Sequence, residues 1–444
     1  MLTNILKISS FVLLSYLFRK RCKIREKKQQ QEITLNKSQN LLNTLNNIQL
    51  LKVVLCFKNT FQANFDNKKY ATVTKYKRLT PSTYNRHIFH MELNIKKDLK
   101  YKAGDCVGIK PQNSTEQVNH LLELFHIDRN HIIKIQNKDN DQFDTIFRIL
   151  KYKLDLNCKL FKKFFVKLAK YTDNRYTKLK FAHIGTDEPL HFKVLIGKGL
   201  TPYDILVQYH DKLSLKAEDF LDLLQDIKYR FYSISSSPNM HKNQIHLLII
   251  VEDWITTENK TKYGFCSDFL SKCRDGIKLE SCIKSFDLDM SHVKSNPMIM
   301  MGLGTGIAPF RAFAQEQKLL SDNQHWSSFN IPCNCLPIEK SMLFFGARYR
   351  SKEYVYGNEF DSYEKEDLLK LCLAFSRDQE KKVYIQHKIM ENIDLLKYLV
   401  NKKNAYIFLC GGKESMNEIQ KLLVENGIDL NYLKEKHRYM SELY

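Results

Sequence analysis

Residues Met298–Arg311, MIMMGLGTGIAPFR, decide the fold class of the C-terminal part of the chain. An apolar strand, Met298–Met301, runs into a glycine-rich turn and then into a helical pattern from Ala308. That order opens an α/β unit with a parallel sheet. Glycines let the backbone approach a pyrophosphate, and the helix N-terminus behind them offers free N–H groups and a positive dipole end. Gly304 and Thr305 lie in the turn, Thr305 as a hydroxyl donor. Pro309 suits a first helical turn, and Arg311 adds charge. The bland alternative is a tight strand–helix turn with no ligand.

Further apolar runs alternate with helical patterns downstream. MLFFGA at 342–347, KVYIQH at 382–387 and AYIFLCG at 405–411 each precede one. This predicts four parallel strands. Upstream the pattern changes. Ala71–Tyr76, His87–Leu93 and Asp105–Ile109 are strand-like, residues 115–225 look helical, and strands resume at Phe231–Ser235 and Ile245–Val251. The helical stretch includes Val118–Phe125, Phe161–Tyr171 and Ala217–Leu224, apolar at i, i+3 and i+4. The layout is a β-rich domain interrupted by a helical insertion, followed by an open α/β domain.

Three other segments carry chemical character. RFYSISSSP at 230–238 sets an arginine beside a tyrosine and four serines. Arg230 suits a phosphate, Tyr232 a flat ring to stack on, and Ser233 a ring nitrogen. An exposed polar strand is the alternative. YGFCSDFL at 263–270 is a glycine turn into a helix and suits a second phosphate, or is only a helix start. AFSRDQEKKVYIQH at 374–387 brings Ser376, Arg377, Lys382 and Tyr384 together, as an extra phosphate beside a purine requires. A solvated charged loop is the alternative.

The chain has 444 residues, 43% hydrophobic and 12% aromatic, enough for two or three globular domains. The net charge of +21 suits a solvated lysine-rich surface, a membrane surface or an acidic partner. No nucleic-acid motif accompanies it, so nucleic acid is not an expected partner. Eleven cysteines without a CxxC pair suggest reduced thiols and no metal site. Residues 1–18 are mostly apolar and precede RKRCK at 19–23. They suit a membrane tether with the folded part on the cytoplasmic face, or a mitochondrial targeting peptide.

Taken in order, these segments resemble the FAD/NADPH half of the diflavin reductases. That family holds NADPH–cytochrome reductase, the sulfite reductase flavoprotein and the diflavin oxidoreductase of cytosolic iron–sulfur assembly. The likeness runs from about Tyr70 to Tyr444 and includes YKAGDCVGIKPQN at 101–113, FFGARYRSKEYVYGNEF at 344–360 and HRYMSELY at 437–444. Details of AGDCVGIKPQN and AFSRDQEKKVYIQH look most like the iron–sulfur-assembly member.

The resemblance implies an antiparallel FAD-binding β-barrel (69–112 and 226–290) holding a helical connecting insertion (113–225). A ferredoxin-NADP reductase-like, parallel-sheet NADP-binding domain (291–444) would follow, and residues 1–68 would form a hydrophobic segment and polar tether. Arg230, Tyr232 and Ser233 would hold FAD, and Gly264, Phe265, Cys266 and Ser267 would cover its pyrophosphate. Trp254 would lie against its adenine. Gly304, Thr305 and Arg311 would meet the NADPH pyrophosphate, and Ser376, Arg377, Lys382, Tyr384 and Gln386 its adenosine end. Ser233, Cys410 and Glu442 would line the hydride-transfer site under Tyr444.

The implied activity is hydride transfer from NADPH to FAD, then electron transfer to a separate, acidic redox protein. A non-catalytic scaffold that keeps the reductase fold is the other reading. The family's Cys-Gly-Asp reads Cys410-Gly411-Gly412 here, and its active-site aspartate is Glu442. Only about 70 residues precede the FAD part, without a serine/threonine phosphate loop, so an FMN domain is not expected in this chain.

Overall fold

The computed structural model describes residues 69–96, 99–135, 142–186, 189–286, 296–327 and 340–444. The expected tether, membrane segment or targeting peptide in residues 1–68 lies outside them. Among the described residues, no helix is long and apolar enough to cross a membrane. The chain forms two compact units. The described part of the smaller one, 130–135 and 142–146, is a hairpin of β4 (Ile132–Ile135) and β5 (Gln142–Thr145). This hairpin falls within the stretch read as helical.

Among its described residues the larger unit, 69–129 and 147–444, contains two large sheets and a two-stranded ribbon. The first is antiparallel, from β1 (Tyr70–Arg78), β2 (Ile88–Ile95), β3 (Cys106–Ile109), β6 (Arg230–Ser233), β7 (Gln244–Ile250) and β10 (Lys278–Lys284), in the order β6-β3-β10-β1-β2-β7. Its inner face buries Ala71, Val73, Phe89, Met91, Leu93, Val107, Leu247 and Ile249, the alternate residues of their strands. The two outer strands meet where Ile234 bridges Leu247 and the Ser235 amide donates to the His246 carbonyl at 2.8 Å. The sheet thereby curls back on itself. A small ribbon of β8 (Asp253–Ile255) and β9 (Thr261–Tyr263) follows β7.

The second sheet is parallel: β11 (Met298–Leu303), β12 (Ser341–Ala347), β13 (Leu369–Phe375), β14 (Tyr406–Gly411) and β15 (Tyr439–Leu443), in the order β13-β12-β11-β14-β15. Both faces are covered. Met298, Met300, Leu343, Phe345 and Phe408 pack on one side with Phe310 and Phe313, while Ile299, Met301, Met342, Phe344 and Ile407 pack on the other with Leu396, Met416 and Ile419. Two-sided burial explains why MIMM, MLFF and YIFLC are unbroken apolar runs.

KVYIQH is not a strand. The strand is LKLCLAF, Leu369–Phe375, and Tyr384 instead caps the helix Ile385–Glu391. Exposed Lys370 breaks up this strand's apolar run, since β13 lies at the sheet edge and buries less than its neighbours. The short apolar pair Val383 and Ile385 imitated a strand there.

Candidate functional site

The strand order reverses between β11 and β14, because the chain passes from β11 outward to β13 and then returns to the other side of β11. Ligands of open α/β sheets bind outside the carboxyl ends of the strands at such a point. The loop after β11 holds Gly304, Thr305 and Gly306, and β14 ends in Cys410 and Gly411. A side chain on Gly306 would collide with the Cys410 carbonyl, so glycine is required for this close approach. Gly304 has φ +56, and nothing lies within 4 Å of where its Cβ would be. A bare backbone cradle therefore faces the crevice.

The C-terminal strand β15 adds Glu442, and Tyr444 just past its end, to this edge. The parallel register sets Glu442 beside Cys410. Glu442 Oε2 accepts from Ser233 Oγ at 2.7 Å and from Cys410 Sγ at 3.8 Å, while Oε1 accepts from Cys106 Sγ at 3.0 Å. Ser233, Cys410 and Glu442 are thus brought together across the two sheets. Cys106 joins them unannounced by the sequence reading, because its place follows from the pairing of β3 with β6, which sets it directly opposite Ser233. Burial, reinforced by the Glu442 charge, raises both thiols well above the usual range. They stay protonated at neutral pH and act as donors.

Tyr444 Oη lies 3.3 Å from Thr305 Oγ1 and donates to the Leu303 carbonyl at 3.4 Å, and the residue is 61% exposed. It leans over the glycine loop. The Tyr444 amide donates to the Gly411 carbonyl at 3.2 Å, and its own carbonyl accepts from the Lys413 amide at 3.2 Å.

On β6, Arg230 and Tyr232 lie beside Ser233. The Arg230 side chain, 39% exposed, leans on buried Asp155 at 3.8 Å. Burial raises the Asp155 carboxyl, against the pull of the Asn157 amide and Arg230. Tyr232 packs against the core that includes Cys266, and burial pushes its phenol well above the ordinary value. Cys266 belongs to the helix Phe265–Lys272, whose first residues follow Gly264. The Ser267 hydroxyl is engaged in that turn, donating to the Gly264 carbonyl and accepting from the Glu252 amide, both at 3.1 Å. Its backbone amide belongs to the helix's first turn, which leaves such N–H groups without helical acceptors. Phe265 is half-buried there. Trp254, 45% exposed, stands apart on β8 opposite Lys262.

Ser376, Arg377, Lys382 and Tyr384 follow the end of β13 along the chain. The Ser376 amide and hydroxyl donate to the Ala347 carbonyl, while Arg377, Lys382 and Tyr384 are exposed. Gln386 donates to Glu418 at 3.1 Å.

Arg311 departs from expectation. It is 8% exposed and donates to Glu359 at 2.7 Å and the Ser235 carbonyl at 2.8 Å, with its guanidinium 4.5 Å from the Tyr356 ring centre. Its position in the first turn of the helix Ala308–Ser327 turns it inward to tie that helix to the antiparallel sheet. It is therefore an internal anchor and not a member of the open cradle. Ser235, Ser236 and Ser237 are also fully buried, so of the four serines in RFYSISSSP only Ser233 faces the site.

His90, Glu92 and His246 lie close enough together to suggest a metal site. Their hydrogen bonds fill them. His90 bonds Tyr356 at 2.8 Å and Glu92 at 3.2 Å, and His246 bonds Gln244 at 3.2 Å and Arg311 at 3.3 Å. A neutral imidazole so bonded on both nitrogens has no lone pair left for a cation.

Comparison with known proteins agrees with this architecture. A family model described as "FAD binding domain" matches residues 63–269, and one described as "Oxidoreductase NAD-binding domain" matches residues 300–421. The sulfite reductase flavoprotein alpha-component of Buchnera aphidicola subsp. Schizaphis graminum is 30% identical over 438 residues, covering 92% of this chain and 67% of that protein. The chain belongs to the diflavin reductase family. The sulfite reductase flavoprotein component of Saccharomyces cerevisiae is 30% identical over 392 residues, 84% of this chain and 37% of that protein. The chain thus spans little more than a third of that relative's length. The NADPH-dependent diflavin oxidoreductase 1 of Danio rerio is 28% identical over 76% of the chain and 57% of its own length. Overall identity therefore does not set that diflavin oxidoreductase apart from the sulfite reductase flavoproteins. With its FAD-binding and NAD-binding oxidoreductase domains, the chain is an oxidoreductase whose cofactors are FAD and NADPH.

Proposed function

We propose that this module passes a hydride from NADPH to FAD and then delivers electrons to a separate redox protein. The observation that carries this reading is the convergence of Ser233, Cys410 and Glu442 where the two sheets meet, at the mouth of the β11/β14 crevice.

The residues present fit FAD and NADPH. Arg230, held by Asp155, would neutralise the FAD pyrophosphate, and Tyr232 offers a ring packed against the core of the antiparallel sheet. The amides after Gly264 would cap the same phosphates. Trp254 would cover the adenine. The open cradle at Gly304 and Thr305 suits the NADPH pyrophosphate, and exposed Arg377 and Lys382 suit the extra phosphate that distinguishes it from NADH. FAD, when bound, supplies the two-electron chemistry.

The protein's own part is to orient and to hold protons. Ser233 Oγ is aimed by Glu442, and the Cys410 thiol keeps its proton because burial and the nearby carboxylate disfavour the thiolate. Tyr444 would shelter the site until nicotinamide displaces it.

The acceptor we infer is an acidic electron carrier, flavodoxin-like, iron–sulfur or cytochrome, steered by the +21 charge. The names of the relatives support a redox protein in that role. The apolar segment 1–18 supports a tether on the cytoplasmic face or a mitochondrial address, and cell fractionation separates the two. The function is tested by mixing the FAD-loaded protein with NADPH anaerobically. Bleaching of the flavin followed by reduction of an added one-electron acceptor is expected. A yellow protein that does not bleach would overturn the reading in favour of a scaffold that has kept the fold.

A further inference from the structure

We propose that Cys106 is a positioning residue for Glu442, a role that rests on reading the Ser233–Cys410–Glu442 cluster as the site of hydride transfer. A glutamate side chain turns about three torsions, so a carboxylate held at one oxygen keeps much of its freedom. Here each oxygen has its own donor. Oε2 receives Ser233 Oγ at 2.7 Å and Cys410 Sγ at 3.8 Å, and Oε1 receives Cys106 Sγ at 3.0 Å. The Cys106 thiol therefore fixes the far side of the carboxylate and leaves the near oxygen for Ser233.

The backbone makes this arrangement rigid. Cys106 and Ser233 are direct partners in the antiparallel β3–β6 ladder, and Cys410 and Glu442 are direct partners in the parallel β14–β15 ladder. The cluster is thus one rung from each sheet facing the other. Cys106 is 5% exposed, which keeps bulk water from replacing its hydrogen bond. Burial keeps the proton on its sulfur, so it donates and does not act as a nucleophile. Glu442 has one more methylene than the aspartate that the family resemblance leads one to expect, and so one more bond to rotate. A second donor at Oε1 offsets that added freedom.

The test uses the full FAD-loaded chain with Cys106→Ala, Cys106→Ser and Glu442→Gln. The infrared S–H stretching band lost in Cys106→Ala identifies this thiol without any turnover. In Glu442→Gln that band should move toward the position of a weaker hydrogen bond. In rapid mixing with NADPH, Cys106→Ala should slow the limiting rate of flavin reduction about three- to tenfold. FAD content and the NADPH concentration at half-maximal rate should not change. Cys106→Ser, which keeps a donor, should recover most of the rate. An S–H band indifferent to Glu442→Gln, equal rates in wild type and Cys106→Ala, or loss of FAD in both Cys106 variants would overturn the proposal, the last because it marks a merely structural residue. Failure of the wild type itself to accept electrons from NADPH would instead overturn the functional reading, while the infrared result would still report on the hydrogen bond.

Discussion

Ser233 Oγ donates to Glu442 Oε2 at 2.7 Å across 209 positions of sequence, joining the last strand of the parallel sheet to the edge of the antiparallel one. Removing the hydroxyl leaves the carboxylate with two weak thiol donors. Ser233→Ala should slow flavin reduction by NADPH about tenfold, with little change in the concentration of NADPH required, as for an interaction that matters mainly at the transition state. Stopped-flow absorbance measures it, and a change confined to the NADPH requirement would contradict it.

The purified protein should carry FAD at close to one per chain and little FMN. Arg230→Ala removes a charge-assisted phosphate contact worth about 1.5–3 kcal/mol, roughly a tenfold or greater loss of FAD affinity. Acid release and chromatography of the flavin give both numbers. Equimolar FMN, or full FAD retention by the variant, would refute the assignment.

Arg377 is exposed just past the end of β13, and Lys382, five residues on, is exposed as well. Arg377→Ala should weaken NADPH roughly tenfold or more and leave NADH nearly untouched. The comparison is kcat/KM for the two nucleotides. Equal losses would mean that the arginine does not read the extra phosphate.

Tyr444 leans on Thr305 and the Leu303 carbonyl above the glycine loop. If nicotinamide must displace it, Tyr444→Ala removes that barrier for both nucleotides, and the preference for NADPH over NADH should narrow. The ratio of the two efficiencies is the readout. An unchanged ratio with an unchanged flavin spectrum would mark Tyr444 as a frayed terminus.

Burial lowers His90 from 6.5 to about 4 and His246 to about 3, helped by Arg311 and, for His246, by the neighbouring His241 and His90. Glu92 pulls both the other way, and Lys75 opposes it at His90. The unfolded chain therefore binds more protons between about pH 3 and 6.5, so stability rises with pH in that window. It is fully present above 6.5 and declines as the pH falls toward the folded values. At pH 5 the loss is up to roughly 2 kcal/mol per histidine. Urea melts at pH 7 and pH 5 check this, and His90→Gln and His246→Gln should each flatten the slope. Slopes equal to wild type would show that other groups govern acid sensitivity.

Much of the framework was legible because burial leaves a periodic mark. MIMM, MLFF and YIFLC are apolar throughout because helices cover both faces of the parallel sheet. The edge strand β13, with exposed Lys370, carries no such run, and the pair Val383 and Ile385 beyond it reads as a strand instead. The hairpin of β4 and β5 leaves no mark within a helical stretch, since strands of four residues are too short to establish a period.

Local order along the chain was enough to place the glycine loop after β11 and the arginine-tyrosine-serine run on β6, because each depends on residues adjacent in sequence. Which side chains enter the site depended on register and crossing. RFYSISSSP offers four serines, and only the pairing of β6 with β3 and the bridge from Ile234 to Leu247 turn Ser233 toward the crevice and bury the other three. Arg311 reads as a phosphate ligand by its place in the loop, yet its helix turns it inward to Glu359 and Ser235. Cys106 meets Glu442 across 336 positions. A contact between residues so far apart leaves no local pattern, because it is created only when two sheets, each folded by its own periodicity, pack edge to edge.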